Sequence, residues 1–316
     1  MQVFLIVAPV FGLIAIGYAA ALSRLLSEAA HKGISEFTFG IAMPALLFRT
    51  IALTDIPAVE PLRLWGAYFG AVAAVWILAT ALTLLVLRRP AGDAPSIAMG
   101  SVYGNVVMLG IPLALAVFGD EAAAPMALIL SINTPLLWMG GTLHMAWAER
   151  KAGTSLARLM LSILGDLARN PVILAIVAGS LWRLSGLGLH PLADKVLALL
   201  GQSGVPCALV ALGAGLTQFQ IKGQAATLTT MLALKLVAQP AIAWVLAFQV
   251  LELPPVAAAV VVLFAAMPTG ANAYLFATRY QRVLNSTSGA VALGTVLAAA
   301  TAAALVSLLV GAGGAR

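Results

Sequence analysis

The residue placed where a charge is hardest to hold is Lys235. It falls about ten residues into an apolar stretch at roughly 225–249, near the middle of a segment long enough to cross a bilayer. A cation there costs at least about 2.5 kcal/mol, and such charges are usually paired. No Asp or Glu lies deep in any apolar stretch: Glu36 and Asp166 come near the starts of theirs, and the other acids fall in loops or at ends. One partner this pattern predicts is the carboxylate of a bound substrate. Backbone carbonyls freed at a helix break would serve as well, or the lysine stands neutral through desolvation. The plainer alternatives are a structural clamp and a side chain that snorkels to an interface.

Two further apolar stretches are broken in a way that leaves backbone groups free for use. Gly100-Ser101-Val102-Tyr103-Gly104-Asn105 interrupts the first, followed by Val106 to Ile111 and then Pro112. Ala266-Met267-Pro268-Thr269-Gly270-Ala271-Asn272-Ala273-Tyr274 interrupts the second. A continuous helix satisfies its own backbone, so breakers at membrane depth persist only where the freed groups face protein, water or a ligand. The expected break residues are Gly104, Gly110 and Pro112 in one stretch, and Pro268 and Gly270 in the other.

Asn105 and Asn272 set an amide beside each break, able both to donate and to accept. Free N–H groups at a half-helix N-terminus favour an anion. These two asparagines and Lys235 are the expected substrate contacts, with Ser101, Tyr103, Thr269 and Tyr274 as secondary candidates. The alternative for an asparagine in a membrane helix is hydrogen bonding between helices. Arg49 is expected to snorkel and His144 to be packed and satisfied. Asn133-Thr134-Pro135 is expected to form a kink bordering the site.

The same inventory sets aside other chemistry. Hydrolysis within a membrane needs paired carboxylates, a His/Glu zinc cluster or a nucleophile with a base. His31, His144 and His190 are out of helical reach of one another, and the single cysteine, Cys207, reads as a small apolar residue. No enzyme, metal site or cofactor is expected, and no P-loop pattern points to nucleotide hydrolysis. A passive channel would need a continuous polar lining, whereas these stretches offer isolated polar residues.

The elements that must position these residues follow from composition. With 62% hydrophobic and 9% charged residues and a mean hydropathy of +1.04, the chain is no soluble globule. Ten apolar stretches of membrane-spanning length are read, roughly 2–22, 34–54, 63–87, 95–118, 122–148, 162–184, 195–217, 225–249, 255–278 and 286–311. The first lacks the basic leader of a signal peptide and is read as a helix. The net charge of +6 is a matter of loops and implies no nucleic-acid partner. Arg24, Lys32, Arg88, Arg89, Arg150, Lys151, Arg158, Arg169, Lys222, Arg279 and Arg282 follow odd-numbered spans, against Arg63, Arg183, Lys195 and Arg316 on the other side. Basic loops face the cytoplasm, which predicts a multi-pass cell (inner) membrane protein with both termini on the non-cytoplasmic side.

The chain also repeats itself. Pro9-Val10 with Gly17 recurs as Pro171-Val172 with Gly179, and Met43-Pro44-Ala45-Leu46-Leu47 as Val205-Pro206-Cys207-Ala208-Leu209, both at an offset of 162 (171 − 9 and 206 − 44). Pro112 and Pro268 differ by 156. Five spans per copy is odd, so the copies enter the membrane from opposite faces. The expectation is an all-α fold of two inverted five-helix repeats, 1–148 and 162–316. A cytoplasmic linker at 149–161 joins them, and helices 4 and 9 are broken and crossed.

Gly104-Asn105 through Gly110-Ile111-Pro112-Leu113, the stretch Arg169-Asn170-Pro171-Val172-Ile173-Leu174, and Met267-Pro268-Thr269-Gly270-Ala271-Asn272-Ala273-Tyr274 resemble the auxin efflux carrier family. That family includes plant auxin exporters and bacterial carriers of malonate and related organic acids. The long cytoplasmic loop of the large plant members is missing, so a prokaryotic member is the nearer likeness. The resemblance implies a fold like the bile-acid sodium symporters and NhaA. Helices 1, 2, 6 and 7 would form a scaffold, often dimeric, and helices 3–5 and 8–10 a transport domain that moves as an elevator. It assigns crossover roles to Asn105, Pro112, Pro268 and Asn272. No sodium site is carried over, because Lys235 could replace a bound cation electrostatically. The expected function is secondary transport of a small organic anion, malonate or another carboxylate, across the lipid bilayer, with proton, sodium or no coupling. A passive anion channel or facilitator, or a carrier of a non-carboxylate metabolite, is the alternative.

Overall fold

The structure is a computed structural model and describes residues 2–53, 60–149, 161, 165, 168–220 and 224–313. The predicted linker at 149–161, apart from Glu149 and Leu161, lies outside these residues, as do Asp166, Lys222 and Arg316. Twelve helices are described in chain order: α1 Gln2–Leu22, α2 Glu28–Leu53, α3 Pro61–Val86, α4 Ala94–Val102, α5 Ile111–Phe118, α6 Ala123–Ala148, α7 Pro171–Ser185, α8 Pro191–Leu216, α9 Ala225–Val250, α10 Pro255–Ala265, α11 Ala271–Tyr280 and α12 Leu284–Gly313. Among the described residues there is no strand, only one isolated antiparallel bridge.

Among the described residues six helical runs are long and apolar enough to cross a membrane, as a polytopic membrane protein requires: Glu28–Leu53, Pro61–Val86, Val106–Ala148, Pro191–Leu216, Ala225–Val250 and Leu284–Leu309. The four other predicted spans fall on α1, on α4 with α5, on α7 and on α10 with α11. The broken ones divide for a physical reason. At 1.5 Å per residue, α4, α5, α10 and α11 are each far shorter than the roughly 30 Å hydrocarbon core.

Proline sets much of this pattern. Pro61, Pro171, Pro191 and Pro255 open their helices, where no N–H is missed. Ser27 and Asn170 accept backbone N–H groups of the following turn and cap α2 and α7. Three of the five π-helical stretches among the described residues, Thr38–Ala42, Val106–Gly110 and Leu234–Ala238, are each followed two residues later by a proline: Pro44, Pro112 and Pro240. A helical proline clashes with the carbonyl four residues before it, and that residue (Gly40, Met108 or Leu236) lies within the widened stretch in each case. The wider turn relieves the clash and lets the chain continue.

The chain divides into two compact units. The first comprises Met1–Val59, Val107–Ser131 and Leu164–Gln218. Glycine brings its helices close. A Cβ on Gly17 of α1 would lie 2.1 Å from the Val210 carbonyl oxygen of α8, and one on Gly213 of α8 1.9 Å from that of Ile14. Gly179 of α7 meets Phe48 of α2 in the same way, at 2.9 Å. Arg49 does not simply snorkel: its Nε donates to Asp194 Oδ1 (2.6 Å), tying α2 to α8.

The second unit comprises Glu60–Val106, Ile132–Ile163 and Phe219–Arg316. Its centre is α10, whose residues from Ala257 to Ala265 are all buried, as expected of a helix apolar on every face. Ile97, Met231, Leu232, Leu236 and Ala290 pack beside it as one cluster. Trp76 Nε1 donates to His144 Nδ1 (3.1 Å), so this histidine is packed and satisfied. At the start of α4, Asp93 holds Arg89 (2.9 Å) and Arg282 (3.6 Å), and Arg282 reaches Glu149 (3.5 Å).

Candidate functional site

Both interruptions of the second unit meet at one point. Helix α4 ends at Val102, Tyr103 turns extended, and Gly104 bridges Thr269 in antiparallel fashion. The Asn105 N–H donates to the Pro268 carbonyl (2.7 Å), and the Gly270 N–H to that of Tyr103 (2.8 Å). Thr269 Oγ1 adds a bond to the Gly100 carbonyl (2.8 Å). The backbone groups freed by each break are thus partly satisfied by the other break, which is how irregular chain survives away from water. Glycine permits a close approach on both sides. A Cβ on Gly270 would lie 3.1 Å from the Gly104 oxygen, and one on Gly104 3.1 Å from Lys235 Nζ.

Lys235 reaches this point from the π-helical stretch of α9 and is fully buried. Its Nζ donates to Gln239 Oε1 (2.6 Å) and to the carbonyl of Ala265 (2.7 Å), the last residue of α10. A cation beside the negative end of a half-helix is electrostatically favoured. Backbone carbonyl and amide oxygen are therefore the partners found, in line with one of the alternatives open from sequence. Gln239 was not singled out by the sequence reading. The available signal was its place one turn after the lysine, on the same face.

Asn272 lies in the first turn of α11, and its Nδ2 donates to the Tyr103 hydroxyl (2.8 Å). That hydroxyl also bonds Thr134 Oγ1 (2.6 Å), so α11, the first break and α6 share one polar chain. Thr134 adjoins Asn133, a buried residue whose amide nitrogen and oxygen meet no hydrogen-bond partner among the described residues; the Gln239 Nε2 amide is in the same position. Asn105 is buried within the crossing. Ser101 Oγ bonds Ile97 O in its own helix (2.8 Å), and Tyr274 stacks edge-on against Phe219 (5.3 Å between ring centres).

The second unit thus brings together Gly104, Asn105, Lys235, Pro268, Thr269, Gly270 and Asn272. Gly110 and Pro112 belong to the first unit, where they close the π-helical stretch and open α5. Within the second unit the break is at Tyr103–Asn105, where the Asn105 N–H meets the Pro268 carbonyl.

Chemically the arrangement combines one buried cation, amide and hydroxyl groups, and the N-terminal end of α11, and it lacks a nucleophile–base pair. Residues 2–306 match the family described as Membrane transport protein. A protein of Rhizobium meliloti (strain 1021) named "Putative malonate transporter" is 28% identical over 313 residues, covering 96% of this chain and 95% of the relative. An "Uncharacterized transporter" of Methanothermobacter thermautotrophicus is 22% identical, covering 92% and 93%. The mouse "Lysosomal cholesterol signaling protein" is 30% identical over 113 residues, which is 34% of this chain and 13% of that protein.

Proposed function

Because the chain belongs to the Membrane transport protein family, the auxin efflux carriers, and is a transporter rather than an enzyme, we propose that it carries a small organic anion by elevator-type alternating access. Malonate or a related carboxylate is the substrate, a choice supported by the name of the Rhizobium meliloti relative. The observation that carries the reading is the crossing of the two breaks, with Lys235 buried beside it and Asn272 at the N-terminus of α11. Lys235 supplies positive charge, and the α11 N-terminus adds its partial charge. Asn105 and Asn272 orient the carboxylate, with Ser101, Thr269 and Tyr274 around them. Gradients, or the substrate itself, drive the cycle.

The fold that goes with this function is ten helices in two inverted repeats, and a recurring contact supports it. Gly17 packs on Val210 and Gly179 on Phe48, and 179 − 17 equals 210 − 48, which is 162. The contact recurs at the offset of the sequence repeat, as a pseudo-two-fold axis would require. Helices 1, 2, 6 and 7 act as a dimeric scaffold, and helices 3–5 and 8–10 as the moving domain. The partition of the chain supports this in part: α1, α2, α7 and α8 fall in one unit and α3, α4 and α9–α12 in the other, while α5 and the start of α6, to Ser131, fall with the first. Residues 149–161 link the repeats on the cytoplasmic side of a cell (inner) membrane.

The test is thermal stabilisation of the purified full chain by malonate, succinate, lactate and indole-3-acetate, with neutral and cationic controls, repeated on Asn272→Ala and Lys235→Gln. One carboxylate should raise the melting temperature saturably in the wild type. The concentration needed should rise at least about tenfold in Asn272→Ala, the loss of one hydrogen bond to a charged ligand. A wild type indifferent to every anion, or variants that respond as it does, would overturn the assignment.

A further inference from the structure

The charge of Lys235 is met by oxygen dipoles. Its two hydrogen-bond acceptors, Gln239 Oε1 at 2.6 Å and Ala265 O at 2.7 Å, are neutral oxygens, and the side chain is fully buried. Ala265 ends α10, so its carbonyl is among those a helix leaves without an intrahelical partner, at the negative end of the dipole. The other break supplies the space: a Cβ on Gly104 would come within 3.1 Å of Nζ and 3.3 Å of Cε. Carbonyl oxygens at an unwound segment and the C-terminal end of a half-helix are the groups with which broken membrane helices hold small cations. A side-chain amide oxygen is a ligand of the same hard type.

We propose that Lys235 is a tethered cation whose ammonium fills a monovalent-cation site made by Gln239 Oε1, Ala265 O and the C-terminus of α10. The carrier then cycles without a coupling metal ion, and removal of the amine leaves the same oxygens ready to take a free one. This goes beyond the anion reading and rests on it only in treating the crossing as the transport site. A clamp role alone would require the side chain's bulk and hydrogen bonds. A tethered cation requires its charge, and a free cation can restore charge but not bulk.

The experiment is thermal unfolding of the purified full chain in sodium, lithium, potassium or choline chloride at equal ionic strength, for the wild type, Lys235→Ala and Lys235→Met. The wild type should melt alike in all four salts. Lys235→Ala should melt lower in choline and recover saturably, by at least about 4 °C, in one of the alkali chlorides. Lys235→Met, which fills the space without charge, should melt lower and not recover. Should Lys235→Ala fail to accumulate in choline, recovery of folded protein when cells are lysed and purified in sodium gives the same reading. Saturable stabilisation of the wild type by sodium would overturn the proposal, as would a Lys235→Ala protein indifferent to every cation or absent in all of them. The assay contains no organic anion, so a failed carboxylate screen leaves its result intact, and its own failure leaves the screen intact.

Discussion

At the scale of residues, the crossing is governed by how closely backbones and one ammonium can approach. Gly104 has Lys235 Nζ and Met267 Cβ within 3.1 and 3.3 Å of where its Cβ would be, so a methyl group there makes both give by a few tenths of an ångström. Gly140, inside α6, would meet nothing within 4 Å. Gly104→Ala should therefore destabilise the protein by about 1–3 kcal/mol. Gly140→Ala should be neutral or stabilising by up to about 1 kcal/mol, because alanine is the better helix former. Melting curves of the two variants check the opposite signs, and a Gly104→Ala protein as stable as wild type would sink the close-approach argument. Lys235 and Asn272 stood out in the sequence by chemical type, because a charge and an amide in apolar runs are conspicuous. Gln239 did not, since a single amide near the interior of a span is ordinary until a lysine one turn away is seen to use it.

At the scale of elements, two kinds of residue decide what a helix does. Prolines widen it, as in the π-helical stretches ahead of Pro44, Pro112 and Pro240. Glycines let it touch a neighbour. The α1–α8 contact is set by Gly17 and Gly213, whose missing Cβ atoms would fall 2.1 and 1.9 Å from backbone oxygens. Backbone cannot swing aside as a side chain does, so one methyl group must push the helices apart. Gly213→Ala should lower the unfolding temperature clearly, by the equivalent of about 2 kcal/mol or more. Gly12→Ala on the same α1 helix, with nothing within 4 Å, should leave it nearly unchanged. Equal melting of the two would show that α1 and α8 are not in backbone contact. The sequence made Gly17 and Gly179 visible as a repeated landmark. It gave no sign that each packs on the helix that follows the other's own, Gly17 on α8 and Gly179 on α2.

At the scale of the molecule, ionic groups gather outside the apolar regions. Arg89 and Asp93 of the α3–α4 connection, Glu149 at the end of α6 and Arg282 come from three separate places in the second unit and fasten the ends of α3, α4 and α6 to the turn before α12. The basic residues that make up this cluster are also among those from which the sequence predicts that the odd-numbered loops face the cytoplasm. That topology has its own consequence: an alkaline phosphatase fused after Arg316 should be active in intact cells, and a green fluorescent protein fused there should stay dark. The reverse pattern would invert the predicted orientation and move the cluster to the other face.

The sequence by itself determined that this is a polytopic helical membrane protein, where its helices are interrupted, and that a lysine must be accommodated at membrane depth. Those properties are local: hydropathy over about twenty residues, the missing N–H of proline and the cost of burying one charge are all properties of consecutive residues. Only the tertiary structure decided that Tyr103–Asn105 faces Pro268–Gly270, and that the oxygens of Gln239 and Ala265 receive Lys235. It also decided that Asn272 joins Tyr103 and Thr134 in one chain. Each of these pairings depends on which freed backbone group finds a partner across space. A helix break fixes that a donor is left over, but not which segment approaches to receive it.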